Sequence, residues 1–247
     1  SIETPAPFVA HNVAVVLNAL ELARRIQPQA MVQISTDEVY GPAPAGHNHA
    51  EWETAMPSNP YAASKAAQEA IAFSYWRTYG VPVLVTNCMN LIGELQDQEK
   101  FIPLTMRRIA RGEPIPIHAR RNDDGSWTAG SRMYLHARNL ADAVLFLLNR
   151  GAPAAYADGA DRPDRWHIVG EREVFNDEMA QMIAGFMGRE GRAEYVDFHG
   201  SRPGHDLRYA LDGRKLADAG WRPPFPLDES LRRTVEWTLE HPHWLQT

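Results

Sequence analysis

The stretch Ala30-Met31-Val32-Gln33-Ile34-Ser35-Thr36-Asp37-Glu38-Val39-Tyr40-Gly41 decides the fold class. Residues 30–34 form a short apolar run that reads as a buried parallel strand. Thr36, Asp37 and Glu38 then leave its carboxyl end, where open α/β sheets place ligands. A loop later comes Ser58-Asn59-Pro60-Tyr61-Ala62-Ala63-Ser64-Lys65, a helix start with a capping side chain followed by proline at the first helical position. Tyr61 and Lys65 are four residues apart and so share a helix face. An ammonium near a phenol favours the phenolate, which would make Tyr61 a general base near neutral pH. Taken alone, Tyr-x-x-x-Lys is usually a solvated helix face, and Thr-Asp-Glu after a strand is usually a cap or turn. Both occur here in order, and a third apolar strand follows at 81–87, so together they mark a site.

Working outward, Phe8, Val9, Val13, Val16, Leu17 and Leu20 are spaced for one face of a helix over 5–26. A second helix is expected from Tyr61 to Tyr79. Residues 42–57 read as a loop; His47 and His49 suggest a metal, but without further ligands at the right spacing a solvated loop is the expectation. Phe101 to Arg111 reads as a helix, 115–117 as a short strand, and 119–131 as a polar loop. A helix over 140–148 and a strand over 166–170 follow, then helix, strand and helix at 174–187, 195–198 and 227–239. Gly185, Gly188 and Gly191 end a helix instead of joining a strand to one, so they are read as helix termination. The expected fold is α/β: an incomplete Rossmann-like, doubly wound parallel sheet formed by 1–90 and 131–170, with a smaller mixed α/β lobe formed by 91–130 and 171–247.

At 247 residues the chain can bury a sizeable core, and 44% apolar with 23% charged residues is ordinary for a globular protein. A net charge of −6 argues against a general nucleic-acid surface. A single cysteine, Cys88, excludes an internal disulfide framework and fits a reducing compartment. No single apolar run approaches membrane-spanning length and the start lacks a signal peptide's basic residues, so a cytoplasmic protein without membrane attachment is expected.

The elements that carry a family resemblance are Ser-Ile-x-x-Pro at 1–5, Asn12-Val13, Ser-Thr-Asp-Glu-Val-Tyr-Gly at 35–41, Tyr-x-x-Ser-Lys at 61–65, Thr86-Asn87-Cys88, Glu99-Lys100-Phe101-Ile102-Pro103-Leu104 and Arg202-Pro203-Gly204-His205-Asp206. The chain resembles the extended short-chain dehydrogenase/reductase (NAD-dependent epimerase/dehydratase) family, and within it the nucleotide-sugar 4,6-dehydratases of the dTDP-glucose type. The resemblance implies NAD as cofactor. It also implies catalytic roles for Tyr61 and Lys65 in proton removal from the sugar 4-hydroxyl, and for Thr36 in hydrogen-bonding that hydroxyl. Glu38 would be the base at C5 and Asp37 the acid for the departing 6-hydroxyl. Asn12 is implied as support for the proton relay, with a helical core asparagine as the alternative, and Leu91 stands where relatives place an asparagine near the cofactor. Substrate grip is implied for Asn90, Lys100, Phe101, Pro116, His118, Arg132, His167, Arg202 and His205. His118 stands where relatives have tyrosine and His167 where they have asparagine. The helices at 5–26 and 61–79 correspond to those that pair relatives into homodimers.

One family feature is missing. Close approach of backbone N–H groups to a dinucleotide pyrophosphate needs a glycine-rich strand-to-helix turn, and the first glycine here is Gly41. Since the chain also opens on serine, a fragment, a processed form or an incomplete gene is expected. Two alternatives to the dehydratase stay open: an epimerase or decarboxylase of the same family, which would usually lack the Asp37-Glu38 pair, and a cofactor-free remnant that only binds nucleotide sugar or a partner subunit.

Overall fold

A computed structural model describes residues 1–198 and 206–245. The chain divides into two compact units, one of Ser1–Met89, Ala141–Val169 and Tyr209–Arg222, the other of Asn90–Leu140, Gly170–Arg208 and Pro223–Thr247.

In the first unit, strands β1 (Met31–Thr36), β2 (Val83–Cys88) and β8 (Asp164–Ile168) form a parallel sheet in the order β1-β2-β8. The register sets Thr36 beside Cys88 and Asn87 beside His167. β2 is buried along its whole length, as a central parallel strand should be. Helices α1 (Pro5–Ile26) and α2 (Pro60–Tyr79) pack with it: Val16, Leu20 and Ala23, then Ala72 and Trp76, share one apolar cluster with Val83 and Val85. Each helix has proline in its first turn and stops at a left-handed residue, Gln27 and Gly80. Among the described residues β1 pairs only with β2; its other edge is open, and Ile34 on it is 46% exposed.

Two expectations need correction in this unit. Helix α1 has 22 residues and includes an 18-residue stretch of mean hydropathy 1.4, long and apolar enough to cross a membrane by length and composition. His11, Asn12 and Asn18 break its apolar runs in sequence, while the helix as a whole stays apolar. Only Val16, Leu20 and Ala23 are buried, and Val15, Leu22 and Ile26 stand out from it. The stretch 42–57 is also more anchored than a solvated loop. Gly41 has φ +77°, and a Cβ there would run into the carbonyl of Met56, whose N–H bonds Val39. His49 is buried and pairs with Leu211, and Glu53 accepts from both His47 and His49.

In the second unit, β4 (Ile115–Arg121) pairs parallel with β10 (Ala193–Asp197) and antiparallel with β5 (Trp127–Ala129). The region 119–131 is therefore a hairpin rather than a polar loop. Its turn is closed by the Asn122 N–H to Ser126 and by Gly125 at φ +85°, and its polar residues alternate with the buried Ala119 and Ala129. The core gathers Ile102, Met106 and Ile109 of α3 (Phe101–Arg111), Ile115 and Ile117, Met179 and Ile183 of α5 (Asn176–Phe186), and Leu231 and Val235 of α7 (Leu227–Glu240). Helix α4 (Ala137–Asn149), which buries Leu140, Ala143 and Leu147, starts in this unit and from Ala141 on belongs to the first. Gly188, just past α5, has φ +62°, as helix termination requires.

The unit bounds differ from the sequence-based division in two places. Residues 131–140 join the second unit because β6 (Ser131–Arg132) pairs with β9 (Val174–Phe175) and β7 (Leu135–His136) with β3 (Leu91–Ile92). Residues 209–222 join the first, where Lys215 of α6 (Arg214–Asp218) donates to the carbonyl of Arg165.

Candidate active site

Strand β1 ends at Thr36, and Asp37–Tyr40 turn immediately into a single 3₁₀ turn. Thr36 starts that turn: its Oγ1 accepts from the Glu38 N–H at 3.3 Å and donates to Asp37 Oδ1 at 2.8 Å. Asp37 is 4% exposed, while Glu38 is half-buried. Asn59 caps α2 by accepting from the Ala62 N–H at 2.9 Å, and its Nδ2 donates to Glu38 Oε2 at 3.0 Å. One side chain thus starts the helix that carries Tyr61 and holds the carboxylate of Glu38. The Tyr209 hydroxyl also donates to that oxygen, at 3.5 Å.

Tyr61 hydrogen-bonds Thr36, which joins the two sequence motifs in one site. The expectation that Lys65 lowers the Tyr61 pKa is overturned. Burial, followed by the charges of Glu38 and Asp37, pushes the phenol up to about 12, against which the Thr36 bond is a small opposing effect. The Lys65 ammonium instead donates to the Ile34 carbonyl at 2.6 Å, and burial lowers its own pKa. Cys88, opposite Thr36, donates to the Ser35 carbonyl at 3.4 Å, and burial pushes its thiol up to about 12.

Beneath this group lies a network that the motifs did not reveal. Glu69 follows Tyr61 and Lys65 at the same four-residue spacing on α2 but is 3% exposed. Its Oε2 accepts from Arg165 Nη2 at 2.6 Å, and its Oε1 from Asn87 Nδ2 at 2.7 Å. Asn87 accepts from Arg165 Nε at 3.0 Å and donates to the Thr36 carbonyl at 3.0 Å. The buried pair therefore fixes the backbone of Thr36 from below. The 61-65-69 spacing was the available signal for Glu69, whereas Arg165 and Tyr209 are too distant in sequence to have given one. Arg165 also explains why β8 starts at Asp164, earlier than apolar content suggested.

The other expected residues fall as follows. Asn12 Nδ2 donates to Ser64 Oγ at 2.8 Å, and Ser64 to the Tyr61 carbonyl at 2.7 Å, so Asn12 ties α1 to the motif turn of α2. His167 does not reach a surface. It is fully buried, 2.7 Å from the Tyr40 hydroxyl and 3.2 Å from the Asp212 carbonyl, and burial brings its pKa down to about 3; it is a neutral core histidine, not a substrate ligand.

In the second unit, Asn90 and Lys100 are exposed and Phe101 packs on the core. Leu91 lies in β3, half-buried, and Pro116 and His118 share the outward face of β4. Arg132 is buried, and its guanidinium donates to the carbonyls of Ser131, Leu207 and Asp206 at 2.6, 2.8 and 2.9 Å, so it braces backbone. Arg202 and His205 lie outside the described residues.

As to a cofactor, the donor set fits the reactive end of a nicotinamide dinucleotide. A hydroxyl and an ammonium, both mostly buried, lie one turn apart on α2, and each contacts the last residues of β1.

Comparison with known proteins agrees with this geometry. The dTDP-glucose 4,6-dehydratase of Xanthomonas campestris pv. campestris is 32% identical over 266 residues, with 100% of this chain and 70% of that protein covered. A crystal structure of DesIV, the dTDP-glucose 4,6-dehydratase of Streptomyces venezuelae, with NAD and TYD bound, superposes with a TM-score of 0.83 at 32% identity, covering 100% of this chain and 71% of that one. The UDP-glucose 4-epimerase of Thermus thermophilus in complex with NAD gives 0.77 at 26% identity, covering 92% and 69%. The chain thus spans about 70% of the length of the curated relatives. Residues 1–157 match the model of the NAD dependent epimerase/dehydratase family. With Thr36, Asp37, Glu38 and Tyr61 gathered at the end of β1, the chain belongs to the NAD dependent epimerase/dehydratase family.

Proposed function

We propose that the chain is a nucleotide-sugar 4,6-dehydratase, a cytoplasmic lyase acting on dTDP-glucose. The observation that carries this reading is the adjacent, unequally buried carboxyls of Asp37 and Glu38, set beside Tyr61 through Thr36. Loss of water across C5–C6 needs an acid and a base at once, and two neighbouring carboxyls in different environments suit that division. Epimerisation at C4 has no use for both. Relatives that carry the dehydratase name align over the whole chain.

NAD, when bound, supplies the hydride acceptor at C4 and the hydride returned to C6. The chain's own residues do the rest. Tyr61 takes the proton of the 4-hydroxyl while Thr36 hydrogen-bonds the same group. With a ketone at C4 the C5 hydrogen becomes acidic, and Glu38, held by the Asn59 amide, removes it. Asp37, the more buried carboxyl, gives its proton to the departing 6-hydroxyl. A phenol at about 12 is a poor base at neutral pH, so proton removal needs cationic help. Lys65, one turn along α2, is the cation the helix offers, once released from Ile34. Asn90, Lys100, Phe101, Pro116 and His118 are the substrate contacts we retain, and a homodimer formed through α1 and α2 is the assembly.

The test is incubation with dTDP-glucose and NAD in excess, followed by mass spectrometry and NMR of the sugar. The expected product is the 4-keto-6-deoxy sugar nucleotide, lighter by one water, with solvent hydrogen at C5. A 4-epimer of unchanged mass would overturn the dehydratase reading, and binding of the sugar nucleotide without any turnover would make the chain a binding remnant.

A further inference from the structure

Outside the catalytic group, three metal-ligating side chains converge in the 42–57 segment. Glu53 Oε2 lies 3.0 Å from His47 Nε2 and 2.7 Å from His49 Nδ1, and the three ligand atoms all fall within 4.8 Å of one another. The sequence pattern His-x-His lacked a third ligand only because Glu53 does not continue its spacing. A turn brings Glu53 back, with its N–H on the Ala50 carbonyl at 3.2 Å.

The group is held on fixed backbone. The Glu53 carboxylate is oriented through its other oxygen, which accepts from the Ala50 N–H at 2.9 Å. The His49 ring stacks on Tyr40 at 5.3 Å between centroids, 15° from parallel. Its main chain is clamped on both sides, N–H to the Ala210 carbonyl at 3.0 Å and carbonyl from the Asp212 N–H at 2.8 Å. The His47 side chain is 47% exposed and that of Glu53 34%, which leaves an open side for an ion to enter and for water to bind.

We propose that His47, His49 and Glu53 form a binding site for one divalent transition-metal ion of the zinc class. Two imidazoles and a carboxylate are the donor set such ions take with a water completing four-coordination, whereas calcium and magnesium prefer oxygen donors throughout. Ligand bonds of about 2.0–2.2 Å place tetrahedral donor atoms roughly 3.3 Å apart. The pairs to Glu53 at 3.0 and 2.7 Å need only open by a few tenths of an ångström, with the ion replacing the two N–H hydrogens that now point at one oxygen. The metal would clamp 47–53 on the anchored His49, and the proposal stands whether or not the chain is a dehydratase.

The test uses the 247-residue chain, freed of metal by chelator and titrated with Zn²⁺ by calorimetry, alongside Glu53→Gln and His47→Ala. The parent should bind one Zn²⁺ per chain at micromolar concentration or below. Each variant should lose more than the roughly 10–100-fold that a mere outer partner of a ligand costs, with unchanged metal-free melting to show an intact fold. Co²⁺ in place of Zn²⁺ should give the intense visible bands of a four-coordinate site in the parent only. Binding weaker than millimolar, or binding that survives both substitutions, would overturn the proposal and leave a hydrogen-bonded His-Glu-His group.

Discussion

At the scale of single residues, the two carboxyls make opposite predictions. Asp37→Asn keeps the shape and the Thr36 contact but removes the acid, so water loss should slow by about 10²–10⁴-fold, the range for one general acid. Oxidation at C4, followed as transient NADH absorbance, should change much less. Turnover of dTDP-glucose at the parental rate would refute the assignment. Glu38→Gln acts on a neighbour: the negative charge of Glu38 disfavours the Tyr61 phenolate, so removing it should lower the Tyr61 pKa from about 12. The pKa should stay above that of a free phenol, because burial is the larger cause. Difference titration of tyrosinate absorbance against Tyr61→Phe reads this directly; an unchanged or higher pKa would contradict it. Residue chemistry was the part most legible in the sequence. Thr36, Asp37, Glu38, Tyr61 and Lys65 could be named because short motifs place them. The direction of the Tyr61 shift could not, since it depends on burial and on a lysine that turns to a backbone carbonyl.

At the scale of elements, helix boundaries followed caps that the sequence spells out: Asn59 and Pro60 at the start of α2, Gly80 at its end. What misled was polarity inside pairing segments. Arg165 in β8 and the polar residues of the β4–β5 hairpin look like loop, yet one is satisfied by Glu69 and the others face outward. Helix α1 carries the sharpest prediction. Val15, Leu22 and Ile26 are 52%, 57% and 62% exposed on a helix whose opposite side is packed. Burying the part of such side chains that is still exposed is worth about half of what full burial gives, roughly 1 kcal/mol each. A two-fold dimer through α1 and α2 is therefore expected by sedimentation velocity, and Leu22→Glu with Ile26→Glu should shift the chain to monomer without loss of helix signal. A parent that is monomeric at micromolar concentration would count against this interface.

At the scale of the whole molecule, the α/β class and the parallel sheet were readable from apolar runs, whereas the path of 209–222 into the first unit was not, because contacts distant in sequence hold it, among them the His49 bridge and the Lys215-to-carbonyl bond. The buried His167 gives a prediction for overall stability. Its folded pKa is about 3 against an ordinary 6.5, so below 6.5 the unfolded chain binds a proton that the folded chain refuses. Stability should fall as pH drops from 6.5 towards 3, by up to about 1.4 kcal/mol per unit. Between pH 7 and pH 5 this amounts to roughly 2 kcal/mol. Urea denaturation at both values, in the parent and in His167→Gln, isolates the contribution. An equal loss in both proteins would show that other groups cause it.

The open edge of β1 has a consequence for how the polypeptide behaves in the tube. Among the described residues one side of that strand meets no other strand, and although the Ile34 carbonyl accepts from the Lys65 ammonium, the rest of that edge and the exposed Ile34 make a template for another strand. Proteins commonly blunt such edges with lysine or proline, and Met31–Thr36 contains neither. Concentrated solutions should therefore grow turbid, with light scattering rising steeply with concentration and dye fluorescence of the stacked-strand type. Ile34→Lys, which places a charge on that edge, should keep the solution clear at concentrations where the parent clouds.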